Sequence, residues 1–253
     1  MLYELLFPGL IGLAFVLVAF GLIVIFAAAS RSRPATYLRE IPAFSRLARS
    51  IGLAVEAGKR LHISLGRGGL TGLQAGSALI GLSVLERVAL AASISDHPPL
   101  ATSGDGSIGI LSQDTLGSSY RAMRAYSRYD PTLGQVSGLT PFSYAAGAVP
   151  VIFDEQVSAS ILMGNYSTEV ALITDASERK DSLTLAGSDN LTAQAILYAY
   201  GRETLIGEDL YAASAYLSSG PIHYACLRAQ DILRWLLVVI IILGAVLNFL
   251  GIL

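Results

Sequence analysis

The chain has 253 residues, of which 53% are hydrophobic, and its formal net charge is −2. Its mean hydropathy of +0.57 is too high for an ordinary soluble domain, and the near-neutral charge gives no reason to expect nucleic-acid binding. A single cysteine, Cys226, excludes an intrachain disulfide. With only three histidines beside it, the composition predicts no metal site and no cofactor.

The first apolar stretch runs from Leu5 to Ala29 without a charge and predicts a transmembrane helix, assigned to residues 1–30. A signal peptide is the competing interpretation, because small residues follow the run in the sequence FAAAS. However, the segment MLYE before the run has no Lys or Arg and contains Glu4. The run is also longer than the apolar region of a usual signal peptide, so an uncleaved span is favoured.

The basic segment 31–60 follows, and within it Ala43 to Ala57 has the spacing of an amphipathic helix. Phe44, Leu47 and Ile51 fall on one face of this helix. The face has two possible partners, the anionic inner leaflet or the domain that follows, and the sequence does not decide between them.

Residues 61–220 alternate strand-like and helix-like segments, which predicts βαβ units and a parallel sheet. We expect a doubly wound, mostly parallel, five-stranded sheet of the Rossmann or flavodoxin-like kind. One detail fits this prediction poorly: buried parallel strands are usually continuously apolar, whereas Leu61 to Leu65 and Ser182 to Leu185 alternate. The predicted strands are LHISLG, PPLATS, QVSGLT, SASILMG and SLTLAG.

The carboxyl ends of these strands are where ligands bind in such folds. Small polar residues and glycines there can bind an anion through backbone N–H groups near helix N-termini. Turns between strands and helices need the same residue types for purely structural reasons, so both explanations stay open. The candidate ligand-binding residues are Ser64, Gly66, Arg67, Gly68, Gly69, Ser103, Gly104, Asp105 and Ser107.

No motif of a known chemistry is complete, and no catalytic residue is predicted. The stretch Gly66 to Thr71 has Thr where a dinucleotide-binding turn carries its third Gly or Ala. No Gly-Lys-Ser/Thr and no G-x-S-x-G sequence occurs, which disfavours a P-loop and a serine hydrolase.

The C-terminal segment 221–253 begins as an amphipathic helix and continues into a second uncharged span from Trp235. Gly244, Asn248 and Gly251 share one face of this helix, which predicts contact with another membrane helix. The alternative is that the glycines are incidental and Asn248 reaches the membrane interface.

Positive charge decides the expected orientation, because cytoplasmic loops next to spans are rich in Lys and Arg. The cations lie between the two spans, which predicts both termini outside and the α/β domain in the cytoplasm, on a bacterial inner membrane. The flanking cations are Arg31, Arg33, Arg39, Arg46, Arg49, Lys59, Arg60, Arg228 and Arg234.

The sequences HISLGRGGL, LSVLERVA, QDTL and LRAQDILRWLL stand between and beside two apolar spans, the second of which ends in GIL. In this arrangement the chain resembles an uncharacterised family of bacterial two-span membrane proteins with a cytoplasmic Rossmann-like domain. The resemblance covers most of the chain. It supports the topology and implies no activity, cofactor or catalytic residue.

Two functions remain as hypotheses. The first is a membrane-anchored scaffold that self-assembles through its α/β domain and membrane helices into a homo-oligomer such as a ring. The second is a membrane-tethered sensory module that binds a nucleotide or another anion at the strand ends. An enzyme is the least supported of the alternatives, and an additional membrane partner is compatible with each of them.

Overall fold

The computed structural model describes residues 2–30, 39–200, 203–218 and 221–250. Arg31, Arg33 and Gly251, which the sequence analysis singled out, lie outside these residues. In chain order the elements are α1 Leu2–Ser30, α2 Pro42–Glu56, β1 Arg60–Gly66, α3 Ala75–Ala92, β2 Leu100–Ser103, α4 Gly106–Ala122, β3 Gly134–Val136, α5 Pro141–Asp154, β4 Val157–Asn165, α6 Val170–Arg179, β5 Leu183–Ser188, α7 Leu191–Ala199, β6 Glu203–Leu205, α8 Asp209–Ser218 and α9 Pro221–Phe249.

The chain divides into two compact units. Met1–Arg39 and Ser218–Leu253 form one unit, in which α1 and α9 pack against each other. Glu40–Leu217 form the other unit, which contains the sheet. Within the described residues three helical segments are long and apolar enough to cross a membrane, Gly9–Ala29, Ala75–Ala92 and Ile222–Phe249. This composition indicates membrane association.

The sheet of the described residues is parallel throughout, with the order β3-β2-β1-β4-β5-β6. This is the strand order of Rossmann folds, in which the direction of winding reverses between β1 and β4. The predicted α/β class is confirmed. The predicted number of five strands is wrong, because β6 adds a sixth at the edge. Its three residues are too few to show the alternation by which a strand is recognised in sequence.

One face of the sheet is covered by α2, α3, α4 and α8 over an apolar core. The apolar side of α2 belongs to this core: Leu47 is fully buried and Phe44 stacks on Tyr216 of α8 at 4.8 Å between ring centroids. Of the two partners considered for α2, the α/β domain is therefore the one it contacts. Phe44 lies near the start of α2 and Tyr216 lies near the end of α8. The N-terminal and C-terminal ends of the sheet unit are therefore adjacent.

The opposite face is covered by α5, α6 and α7 and explains the alternation in β1. Leu61, Ile63 and Leu65 belong to the first, apolar core, whereas His62 and Ser64 point to this second face. Both polar residues are fully buried. The alternation in β1 thus reflects a polar layer inside the protein.

Candidate functional site

The predicted ligand-binding residues lie at the carboxyl edge of the sheet, around the point where strand order reverses. Gly66 ends β1 and pairs with Asn165, which ends β4. The amide of Gly104, after β2, donates to Gly66 O at 2.8 Å. The structure therefore brings together the first two predicted turns, Gly66–Gly69 and Ser103–Ser107. In Rossmann folds this position is the usual place for a ligand.

Gly66 is required by its surroundings as well as by its backbone. Its φ of +68° is in the left-handed region, and an added Cβ would lie 2.4 Å from Asn165 O. The amide of Arg67 then donates to that same oxygen at 2.9 Å. The turn at the end of β1 is thus fixed against β4, and no side chain fits at its first position.

The following glycines let the loop fold onto its neighbours. A Cβ at Gly68 would lie 3.0 Å from Gln74 O, and one at Gly69 would lie 3.0 Å from Asp105 Oδ2. A Cβ at Gly104 would lie 2.4 Å from Cγ of Arg67. Close packing within the protein thus accounts for glycine at these positions, without reference to a ligand.

Arg67, the cation predicted to attract an anion, is held by a buried carboxylate. Its Nε donates to Oε1 of Glu169 at 2.9 Å, and Glu169 is fully buried. The second oxygen of Glu169 accepts from the amide of Ser167 at 3.0 Å. A buried ion pair of this kind depends on both partners, because each offsets the desolvation of the other. The charge of Arg67 is therefore already matched within the protein.

Asp189, at the end of β5, closes a second polar arrangement beside the first. Its Oδ1 accepts from Nδ2 of Asn165 at 2.7 Å, and its Oδ2 accepts from the hydroxyl of Ser77 at 2.8 Å. Ser77 lies in the first turn of α3. The start of α3 thus has a carboxylate of the protein next to it, where an anionic ligand would otherwise be attracted.

Asp105, Ser103 and Ser107 form the cap of α4. The Asp105 carboxylate accepts from the amides of Ser107 and Ile108 at 2.9 and 3.2 Å and from the Ser107 hydroxyl. The Ser107 hydroxyl, followed by these amides, lowers the pKa of Asp105. The Ser103 hydroxyl donates to Asp105 O at 2.7 Å. Asp105 is therefore the N-cap residue of α4, and the hydroxyls of Ser103 and Ser107 hydrogen-bond to it.

A buried polar layer behind the turn escaped the sequence analysis. The Tyr144 hydroxyl lies 2.6 Å from Ser64 Oγ and accepts from the amide of Gly66 at 3.3 Å. The Tyr166 hydroxyl donates to Ser64 O at 2.7 Å. Burial raises the pKa of both tyrosines. The signal in the sequence was the alternation of polar His62 and Ser64 with apolar residues in β1. The tyrosine partners of Ser64 could not be found in this way, since they lie about 80 and 100 residues away.

His62 extends this layer toward the centre of the sheet. Its Nε2 lies 2.9 Å from Oγ1 of Thr102, which in turn lies 3.3 Å from the Tyr144 hydroxyl. Complete burial lowers the pKa of His62 to about 4, so the ring is neutral at pH 7. The layer joins β1, β2 and α5 through neutral groups.

A family model described as a domain of unknown function, DUF6754, matches residues 9–253. The chain belongs to this family. The predicted resemblance to an uncharacterised family without a known activity is thereby confirmed. No curated protein and no solved structure matches the chain. The function of this DUF6754 chain has to be argued from its geometry.

The acidic side chains described at the carboxyl edge of the DUF6754 chain are already bound by other groups of the protein. Among the described residues no three His, Cys, Asp or Glu side chains are grouped so that they could hold a metal ion. Glu169 and Asp189 have the partners described above. The edge is suited to holding the loop in one conformation.

A different surface of the DUF6754 chain is open and apolar. A groove of about 420 Å³ runs between α5 and α6. Phe142 is 67% exposed, Leu172 48% and Phe153 37%. Asp175 and Arg179 also line the groove and pair with each other at 2.8 Å. The predicted membrane contact residues lie elsewhere: Gly244 on α9 has open space where a Cβ would be, and Asn248 is exposed.

Proposed function

We propose that this chain is a membrane-anchored scaffold that self-assembles through the groove between α5 and α6. The observation that carries the proposal is the exposed apolar lining of this groove, with Phe142 and Leu172 largely open to solvent. Contiguous exposed apolar surface on a folded domain typically marks a place where another molecule binds. Large, exposed aromatic and aliphatic side chains are also the usual anchors of protein interfaces.

The anchors in this proposal are α1 and α9. Their candidate spans, Gly9–Ala29 and Ile222–Phe249, have a mean hydropathy of 3.0 and 2.5. The third candidate, Ala75–Ala92, differs from them because half of it is buried and its residues Ala78, Val84 and Leu85 belong to the sheet core. A helix needed for that core is not free to enter a bilayer, which supports a two-pass topology.

The proposed orientation places the sheet unit in the cytoplasm and both termini outside the bacterial inner membrane. Its support is the set of cations between the two spans, including Arg39, Arg46 and Arg49 after the first and Arg228 and Arg234 before the second. The sheet unit would then be held at both ends. The stacking of Phe44 on Tyr216 brings those two ends of the sheet unit together.

A second copy of the chain is the occupant that suits the groove best. The groove presents one carboxylate and one guanidinium, Asp175 and Arg179, on the same helix. A two-fold axis through the groove would set Asp175 of one copy against Arg179 of the other, and the reverse. Such an isologous contact uses the same surface twice and closes as a dimer.

A ring or larger homo-oligomer needs a second, different contact. In our proposal the face of α9 that carries Gly244 and Asn248 supplies it. Apart from α9 itself, no part of the chain that the structure describes lies within 4 Å of the place a Cβ would take at Gly244, so another helix can approach there. An Asn across such a contact contributes about 0.6 kcal/mol on average.

The proposal is tested by the particle mass of full-length protein extracted in mild detergent. We expect a uniform multiple of the 26.7 kDa chain. Leu172→Glu should reduce the mass, because a carboxylate buried in an apolar contact is strongly unfavourable. Ile110→Glu is the matched control, since Ile110 is 70% exposed on α4, outside the groove. A monomeric wild-type protein at micromolar concentration would contradict the proposal.

The second candidate function is a sensory module that binds a nucleotide or another anion at the carboxyl edge. It is favoured by the reversal of strand order beside Gly66, where Rossmann folds bind ligands. Against it stand the Glu169 and Asp189 carboxylates, which occupy the places near Arg67 and the start of α3. A thermal-shift screen with nucleotides decides the matter, because a ligand at 100 times its Kd stabilises a protein by about 2.7 kcal/mol.

A further inference from the structure

The outer side of α2 is exposed and carries two arginines. The apolar side of this helix is buried against the sheet, whereas Arg46, Arg49 and Leu53 are exposed. Arg46 forms an ion pair with Glu203, and 61% of its side chain is still exposed. Arg49 has no ion pair with any residue that the structure describes. Both guanidinium groups are therefore accessible to a partner outside the domain.

The charge of α2 distinguishes it from the other α-helices of the sheet unit. Residues Pro42–Val55 contain Arg46 and Arg49 and no acidic residue, and a single carboxylate, that of Glu56, ends the helix. In α3 to α8, as the structure describes them, acidic side chains equal or outnumber basic ones. A surface with an excess of cations attracts anionic partners. Among these helices, α2 therefore has the outer side that suits an anionic partner best.

The chain keeps α2 within reach of a membrane that α1 and α9 cross. The twelve residues from Ser30, where α1 ends, to Pro42, where α2 begins, span at most roughly 40 Å when fully extended. The second connection is shorter, because α8 ends at Ser218 and α9 begins at Pro221. A surface held by short connections meets its target at an effective concentration in the millimolar range. A weak attraction is then enough to bring α2 onto that membrane.

Anionic phospholipid is the partner whose chemistry matches the outer side of α2. Each Lys or Arg near an anionic leaflet adds attraction, and an Arg side chain pairs with phosphate through two parallel hydrogen bonds. Ala48 and Gly52 are exposed and small, so lipid headgroups can approach the helix closely. Leu53, one turn after Arg49, is 58% exposed and adds apolar contact. Nucleic acid is disfavoured as a partner, because the whole chain has a net charge of −2.

We propose that the outer side of α2 binds the anionic phospholipid headgroups of the membrane that holds the chain. Arg46 and Arg49 contact the phosphate groups, while the apolar side of α2 stays in the core of the domain. This inference rests on the proposed anchoring by α1 and α9 and is independent of self-assembly through the groove, to which no residue of α2 belongs. It makes the contact between domain and membrane depend on the anionic lipid content of the bilayer.

The test places a fluorescent label on α2 and a quencher on the lipid headgroups. Full-length protein with Cys226→Ser and Ala48→Cys is labelled and reconstituted into phosphatidylcholine nanodiscs that contain headgroup spin-labelled lipid, with or without phosphatidylglycerol. We expect strong quenching in the discs with phosphatidylglycerol, and loss of this quenching when salt is added. Ala195→Cys, exposed on α7 at the opposite face of the sheet, is the matched control and should stay unquenched.

Variants then assign the contact to the arginines. Arg49→Gln should lower the ratio of bound to unbound domain about fivefold, the effect expected for one cation at an anionic leaflet. Arg49→Lys keeps the charge and should bind as the wild type does, which separates loss of charge from loss of folding. Arg124→Gln, at an exposed position outside α2, is the control and should leave the quenching unchanged.

Three results would overturn the proposal. One is quenching at Ala195→Cys as strong as at Ala48→Cys, or quenching at neither position in discs with phosphatidylglycerol. Another is quenching at Ala48→Cys that neither Arg49→Gln nor removal of phosphatidylglycerol weakens, since charge would then not cause the contact. The third is failure of the chain to enter nanodiscs at all. That failure would contradict the anchoring itself, whereas the first two would leave the anchoring intact.

Discussion

The carboxyl edge of the sheet and the groove between α5 and α6 differ in whether their side chains already have partners within the protein. At the edge, Arg67 is paired with Glu169, and Asp189 is bound by Asn165 and Ser77. In the groove, Phe142 and Leu172 face solvent. A fold family known for ligands at its carboxyl edge here has that edge filled by its own side chains. The exposed apolar side chains lie instead on the outer helices α5 and α6. For this reason we propose self-assembly through the groove rather than ligand binding at the carboxyl edge.

The largest effect that sharpens this contrast is expected from Glu169→Ala. It leaves the Arg67 guanidinium, 20% exposed, without its counter-charge and the Ser167 amide without its acceptor. We expect a loss of about 3–5 kcal/mol in the free energy of unfolding, as for other broken buried pairs. The measurement is urea denaturation of the detergent-solubilised protein.

Asp96→Ala is the matched control for that measurement. It removes an exposed ion pair with Arg128, outside the groove, which should cost less than about 1 kcal/mol. Equal losses for Glu169→Ala and Asp96→Ala would show that the edge is not held by its buried ion pair.

The next effect concerns pH and His62. Its pKa falls from about 6.5 in the unfolded chain to about 4 in the folded protein, so between these values the unfolded state binds more protons. The contribution of neutral, buried His62 is fully present above pH 6.5 and is lost as pH falls toward 4. The loss amounts to about 3 kcal/mol. His62→Gln should flatten the dependence of unfolding free energy on pH in this window, whereas His97→Gln should not.

Gly66→Ala tests whether the turn at the switch point is fixed by its neighbours. Strain from a positive φ costs about 1–2 kcal/mol, and the clash with the Asn165 backbone adds to it. Gly58→Ala is the control that introduces backbone strain without a clash, because Gly58 has a φ of +60° and open space around it. We therefore expect Gly66→Ala to lower the thermal midpoint clearly more than Gly58→Ala does. Equal shifts would mean that the packing of the turn is loose.

The smallest of these effects is expected from Tyr144→Phe. The variant keeps the ring and removes the hydroxyl that contacts Ser64 and the Gly66 amide. We expect a loss of about 1–2 kcal/mol in unfolding free energy, the cost of leaving buried polar groups unpaired. Tyr198→Phe, at a 70% exposed position, should be neutral. If Tyr144→Phe left the free energy of unfolding unchanged, the buried polar layer would not stabilise the carboxyl edge.

The predicted elements fared best where the pattern was local. Apolar runs and helical spacing were enough to predict α1, α2, α9 and the alternation of strands and helices. They failed at β6, whose three residues from Glu203 to Leu205 are recognisable only by their pairing with β5. Local alternation in β1 was visible, but its cause was not, since Tyr144 reaches Ser64 from a distant part of the chain.

The candidate site shows the same limit. The positions of Gly66, Gly104 and Asp105 at strand ends followed from the βα pattern, and the structure places them at one edge. The sequence could not show that Glu169 neutralises Arg67, because that contact joins residues about 100 positions apart. It also could not show the groove, because the exposure of Phe142 and Leu172 depends on how α5 and α6 pack.

The central claim, contact between two copies through the groove, is tested most directly by cysteine cross-linking in membranes. The experiment uses a Cys226→Ser background, because Cys226 is exposed and is the single cysteine of the sequence. Leu172→Cys should then form covalent dimers on mild oxidation, because a two-fold axis through the groove brings the same residue of both copies together. Ile94→Cys, at a 71% exposed position outside the groove, should remain monomeric. Equal cross-linking at both positions, or none at Leu172→Cys, would contradict assembly through this surface.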